Sequence, residues 1–212
     1  MKINKLKKYG GLTIIEMLVA IGIFTLGMVG ATLLFSRAWQ VNGYSLEMGE
    51  STSEVSQSIN KILNYIREAS QSDNGSYPIV SADGNDLVLY SDYNNDGKVE
   101  RLHFYKSGQD ILMGVTVPAD TMPVTYPAGD QQTVTIADHI VNTSSQPVFA
   151  YYDDTYAGGA GQNPLTTPAM VSDIRLIEVH LYINIDPNRA PDNIEMQSFA
   201  ELRNLNDSNQ AQ

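Results

Sequence analysis

The chain has 212 residues, a formal net charge of −11, 42% hydrophobic and 8% aromatic residues, and no cysteine. That is enough for one ordinary domain plus an extension, with a composition suited to a folded body. Disulfides and thiolate metal sites are excluded, and the acidic balance opposes direct contact with nucleic acid, the more so because Lys2, Lys5, Lys7 and Lys8 all sit at the very start.

Residues 1–9 are basic and polar and end at Gly10-Gly11. From Leu12 to Phe35 the only ionisable side chain is Glu16. As a helix rising about 1.5 Å per residue, this run is about 36 Å long, enough to cross a hydrocarbon core of roughly 30 Å. The lysines are expected to stay cytoplasmic, which directs the C-terminal body outward. A secretory signal fits poorly, because its apolar core is about 7–15 residues with a small-residue cleavage site behind it. Here the run is longer and the glycine pair lies before it. A plain signal anchor accounts for the length but not for Glu16, since a carboxylate near the centre of a membrane helix costs roughly 2.5–3.5 kcal/mol.

The stretch KKYGGLTIIEMLVAIGIFTLGMVG resembles the leader and anchor of type IV pilins and the related pseudopilins. Their pattern is a short basic leader, a glycine before the cut, an apolar residue, a threonine, and a glutamate as fifth mature residue. It falls on Gly11, Leu12, Thr13 and Glu16, with Leu12 standing where phenylalanine is commonest. The resemblance implies that a prepilin peptidase cuts between Gly11 and Leu12, that the new α-amine of Leu12 is N-methylated, and that Thr13 and Glu16 serve assembly. Its further implications are a single-pass precursor in the cytoplasmic membrane, an inner-membrane assembly platform, and a filament shared with other pilin or pseudopilin subunits. The filament is a cell-surface pilus or a periplasmic pseudopilus of a type II secretion system. Glu16 then has a physical reason: it can pair with the amine of a neighbouring subunit, and breaking such a buried pair costs on the order of 3–5 kcal/mol. At 212 residues the chain is longer than many major subunits, which favours a minor one. The rival class is a membrane-tethered binding or enzyme domain that never polymerises.

Residues 36–75 are expected to continue as an amphipathic helix. Val55, Ile59, Ile62, Leu63 and Ile66 form one helical stripe, and no proline precedes Pro78. Gly43 and Gly49 each weaken the helix by about 1 kcal/mol relative to alanine, which predicts a soft place near 43–50. STSE at 51–54 could act as a capping box that restarts the helix, and SDNG at 72–75 is expected to end it. Gly22, Gly27 and Gly30 either permit close helix packing in lipid or are ordinary membrane-helix glycines.

Residues 76–205 read as an antiparallel sheet domain and 206–212 as a loose tail. Strands are expected at 86–92, 98–108 and 110–117, then near 132–136 and 148–151, with 153–164 an exposed loop. In 173–186 Ile177, Val179, Leu181, Ile183 and Ile185 alternate with Glu178, His180, Tyr182 and Asn184, the pattern of a sheet with one buried face. After the turn PNRAPDN a last strand is expected over 194–205. The fold class is therefore α+β, with the Val55–Ile66 stripe packed on the Ile177–Ile185 face. This again is similar to the pilin fold, and LVLYSD…VERLHFY, VFAYYDD and LRNL resemble minor pilins and minor pseudopilins.

DYNNDGKVE at 92–100 resembles the start of a calcium loop, with Asp92, Asn94 and Asp96 at the first, third and fifth places and Gly97 at the sixth. The twelfth place holds His103 in place of the usual glutamate, and Glu100 could supply an oxygen. The bland reading is a polar hairpin turn, which needs Asn-Asp-Gly in any case. Asp153 and Asp154 are a weaker calcium candidate, suggested by the C-terminal loop of some pseudopilins. His103, His139 and His180 lack ligand spacing, and Gly158, Gly159 and Gly161 read as loop flexibility. No nucleophile elbow or phosphate-binding glycine loop is present. The chain thus reads as structural rather than enzymatic, with calcium the only cofactor suggested. Tyr90, Tyr105, Tyr151, Tyr152, Tyr156 and Tyr182 suit buried or half-buried strand positions better than a binding surface.

Overall fold

The computed structural model describes residues 11, 13–158, 163–186 and 193–202. The basic leader, Leu12, Gly159, Gly161, most of the PNRAPDN turn and the tail lie outside them. The chain divides into two compact units, residues 1–46 and 47–212.

Helix α1 runs Ile14–Arg67 without interruption at Gly43 or Gly49, so the capping-box restart at Ser51 does not occur. In the first unit its apolar side chains, among them Ile14, Leu18, Phe24, Leu26, Leu34 and Phe35, are exposed. The hydroxyls along it are satisfied internally: Thr25 Oγ1 donates to Gly22 O at 2.9 Å and Thr32 Oγ1 to Met28 O at 2.8 Å. A lipid surround therefore meets no unpaired donor from either threonine.

In the second unit Val55, Ile59, Ile62, Leu63 and Ile66 are all buried, as the stripe predicts. The helix stops at Arg67, short of the SDNG turn. Ser70 N donates to Tyr90 O at 3.0 Å, so a strand carbonyl captures the backbone that would have extended the helix. Arg67 adds a bond from its guanidinium to Phe199 O at 3.0 Å.

Five strands, β1 (Ile79–Asp83), β2 (Asp86–Ser91), β3 (Glu100–Ser107), β4 (Asp110–Thr116) and β5 (Gln132–Ala137), form an antiparallel meander in that order. A second sheet orders β6 (Phe149–Tyr152), β7 (Leu176–Ile183) and β8 (Ile194–Glu201), also antiparallel. The architecture is α+β, as expected, but divided into two sheets, with β1 an additional strand. The sheets meet where the β1–β2 turn docks on β6: Phe149 N donates to Gly84 O at 2.9 Å and Tyr151 Oη to Asp83 O at 2.7 Å. A Cβ on Gly84 would lie 3.0 Å from Pro147 Cβ, which explains the small residue there.

Where β6 ends, the segment after β5 takes over the flank of β7. Val141 N donates to Tyr182 O, and the buried amide of Asn142 accepts from Tyr182 N at 2.8 Å and donates to His180 O at 2.9 Å. Asn142 thus imitates a peptide group where no strand is available. One apolar cluster joins Ile62, Leu63 and Ile66 of α1 to Leu87, Leu102 and Phe104 of the first sheet and Phe149, Ile177 and Val179 of the second. The alternation in β7 holds, since Ile177, Val179, Leu181 and Ile183 are fully buried. Ile185 lies beyond the strand and is only half-buried.

On the first sheet His103 is clamped between two carboxylates, Nε2 to Asp86 Oδ2 at 2.8 Å and Nδ1 to Asp130 Oδ2 at 3.0 Å. Asp130 reaches it across β4 over Gly114, the residue paired with His103. A Cβ on Gly114 would overlap the Asp130 carboxylate. Gly114→Ala is therefore expected to displace the Asp130 carboxylate and cost about 1–3 kcal/mol, read by chemical denaturation. Burial lowers the His103 pKa, but the hydrogen bonds to Asp86 and then Asp130 outweigh it and leave the imidazole above its ordinary value. A folded value above the unfolded one, about 6.5, means the clamp stabilises fully below about pH 6.5. Its contribution is lost as pH rises through the folded value. The stability gap between wild type and His103→Gln should accordingly be wider near about pH 5.5 than near about pH 8.5.

Candidate functional site

The start of α1 is built from two side chains. Thr13 precedes the first helical residue, where orphan N–H groups await partners. Its backbone N–H and its hydroxyl both donate to Glu16 Oε2, each at 2.8 Å, and Glu16 N donates back to Thr13 Oγ1 at 3.4 Å. This is a capping box, Thr at N-cap and Glu at N3. Both bonds to the carboxylate fall on Oε2; among the described residues Oε1 has no hydrogen-bond partner. The T-x-x-E spacing of a capping box is visible in the sequence at Thr13 and Glu16. Gly11 is exposed, with open space where a side chain would stand. Leu12, between them, lies outside the described residues.

Behind this cap α1 contains a stretch long and apolar enough to cross a membrane, none of it buried in the protein. Residues 6–32 match the family model of the prokaryotic N-terminal methylation motif. The chain carries the type IV pilin and pseudopilin signature. No curated protein and no solved structure matches the chain. The pilin signature and the apolar stretch of α1 support membrane anchoring, and the signature implies processing by prepilin peptidase and association with other pilin subunits. The family that carries it is structural, not enzymatic. A Cβ on Gly22, Gly27 or Gly30 would meet nothing within 4 Å, so no packing among the described residues requires these three glycines.

The second candidate is the 92–99 loop joining β2 to β3. Asn95 and Gly97 both have positive φ, 59° and 84°, which suits asparagine and glycine. Asp92 accepts from Asp96 N at 3.1 Å through Oδ1 and from Gly97 N at 2.9 Å through Oδ2. Asn94 Oδ1 accepts from Asp96 N, and Asp96 Oδ1 from Lys98 N at 2.8 Å. Backbone and side-chain donors, chiefly Lys98 N–H, hold the Asp96 carboxyl below its usual range. Glu100 is fully buried; burial pushes its carboxyl up, against the N–H of Tyr93, which donates to Oε2 at 3.3 Å. Among the described residues no three His, Cys, Asp or Glu side chains gather as a metal site. Asp92, Asn94 and Asp96 share one loop, and Glu100 roots it.

The remaining candidates resolve into structural roles. His180 pairs with Glu195 at 2.8 Å, and His139 is held at φ 56°. Tyr90, Tyr151 and Tyr152 are buried and Tyr105, Tyr156 and Tyr182 half-buried. Glu178, expected on the polar face, is buried and accepts from Tyr152 Oη at 2.7 Å. Burial, reinforced by that carboxylate, holds the Tyr152 pKa well above its ordinary value. Asp153 is turned onto Thr155, whose N–H and hydroxyl it accepts.

Proposed function

We propose that the chain is a minor pilin or pseudopilin, a filament subunit cut between Gly11 and Leu12 and N-methylated on Leu12. In this reading the precursor sits in the cytoplasmic membrane with its body outside. An inner-membrane assembly platform draws it, with other subunits, into an extracytoplasmic pilus or pseudopilus. The helix from Leu12 onward becomes the filament core and the acidic two-sheet body its surface.

The observation that supports this most is the state of Glu16 at the head of the exposed apolar stretch of α1. Its capping bonds engage only Oε2, so the carboxylate can cap its own helix and still receive a cation through Oε1. The amine freed by cutting is such a cation, and in an apolar filament core each charge otherwise lacks a partner. Mass spectrometry of protein from the native cell tests the reading. The expected N-terminus is methylated Leu12; residues 1–11 still attached would leave only a tethered, outward-facing domain.

A further inference from the structure

We propose that the loop joining β2 to β3 binds one hard divalent cation of the calcium class, and that the buried carboxylate of Glu100 completes the site. The inference is independent of the filament reading, since it concerns the second unit alone.

The donors are all oxygen: Asp92, Asn94 and Asp96 on alternate positions of the loop, and Glu100 at its root. Such a set favours calcium or a similarly hard ion over zinc or copper, which take nitrogen or sulfur. The chain has no cysteine, and the nearest imidazole, His103, is occupied on both nitrogens by Asp86 and Asp130. The oxygens of Asp92 each accept one backbone N–H, and a carboxylate oxygen has a further lone pair to offer.

An acidic turn alone would satisfy itself with its own amides. Beneath this one, though, lies a second feature that calls for a ligand. Ser91 and Glu100 pair directly across β2 and β3 at the point where the loop leaves the sheet, and both are fully buried. Among the described residues Ser91 Oγ and Glu100 Oε1 have no hydrogen-bond partner. Native proteins rarely leave buried polar atoms in that state, because each costs about 1–3 kcal/mol, more when charged. The other oxygen of Glu100 accepts from Tyr93 N within the loop, so the carboxylate faces the acidic segment.

The carboxylates do not converge beforehand, so binding must close the loop onto Glu100. Residues 94–98 are exposed and can move without disturbing the core. A site assembled on binding belongs to the weak class of calcium sites, with Kd about 10⁻⁴–10⁻³ M.

The full-length protein in detergent is titrated with terbium, exciting tyrosine, since Tyr93 lies within the loop. Terbium luminescence is expected, displaced by calcium, and at least tenfold weaker binding in both Asp96→Asn and Glu100→Gln. Asp96 is exposed, so Asp96→Asn carries the test even where Glu100→Gln fails to fold. No calcium-displaceable signal, or wild-type affinity in either folded variant, overturns the proposal.

Discussion

Glu16→Gln is expected to be processed normally and to fail in filament assembly almost as completely as Glu16→Ala. The two variants separate the two jobs of one side chain. Glutamine keeps an oxygen that can accept from Thr13 N–H and hydroxyl, and it serves at N3 of a capping box as glutamate does. Alanine also loses the bonds from Thr13 N–H and hydroxyl, half of the capping box, while its own N–H can still donate to Thr13 Oγ1. Neither variant can neutralise a neighbouring amine, and a charge left alone in an apolar core costs about 3–5 kcal/mol. At about 1.4 kcal/mol per power of ten, that weakens each subunit contact by roughly 10²–10⁴-fold. Loss of the leader on an immunoblot and recovery of sheared filaments measure the two steps. Gly11→Val should give the opposite result, a precursor that stays uncut and unassembled. Filaments at wild-type yield from Glu16→Gln would reduce Glu16 to a helix cap, and from Glu16→Ala would remove it from assembly altogether.

That division of labour shows why the anchor was the most legible part of the chain. Its features are local: an apolar run, one acid, a threonine three positions before it. The Val55–Ile66 stripe and the alternation in β7 were legible for the same reason, because helical and strand periods are written along the sequence. The end of α1 was not, since Tyr90 O, from a strand that follows the helix, decides it. β1 is short, and its one local signal is the two-residue hairpin connection Gly84-Asn85 between Asp83 and Asp86. The split into two sheets depends on which distant segments pair, and Asn142 closing the flank of β7 follows no local pattern. Likewise the carboxylates on His103 come from 17 and 27 residues away. Gly114 could be flagged only as a glycine within a strand; the reason, the carboxylate of Asp130 lying over it, belongs to the fold. In the 92–100 loop the donor spacing was legible, whereas the burial that orphans Ser91 and Glu100 was not.

Phe104→Ala should be the most damaging single truncation in the body and should leave the cut at Gly11 intact. Phe104 is fully buried in β3, paired with Leu87 on one side and Met113 on the other. Its ring stacks on Tyr65 of α1, centroids 6.2 Å apart. Removing a buried phenylalanine costs about 3–5 kcal/mol through lost transfer energy and the cavity left behind. Against a total stability of about 5–15 kcal/mol this is a large share, equivalent to roughly 6–20 °C in the melting temperature of a body this size. Tyr65→Leu keeps apolar bulk on the helix and gives up mainly the ring pair, about 0.5–1.5 kcal/mol. The double variant should therefore cost less than the sum of the two single ones, because both remove the same contact. Thermal unfolding and limited proteolysis read the loss of stability. The leader and signature belong to the other compact unit, so the immunoblot for processing should not change. A cost under about 1 kcal/mol would mean that the cavity refills and that the helix stripe holds the sheets through Ile62, Leu63 and Ile66 without this ring. Strict additivity would instead show that Tyr65 and Phe104 stabilise the body independently, against the stacked geometry.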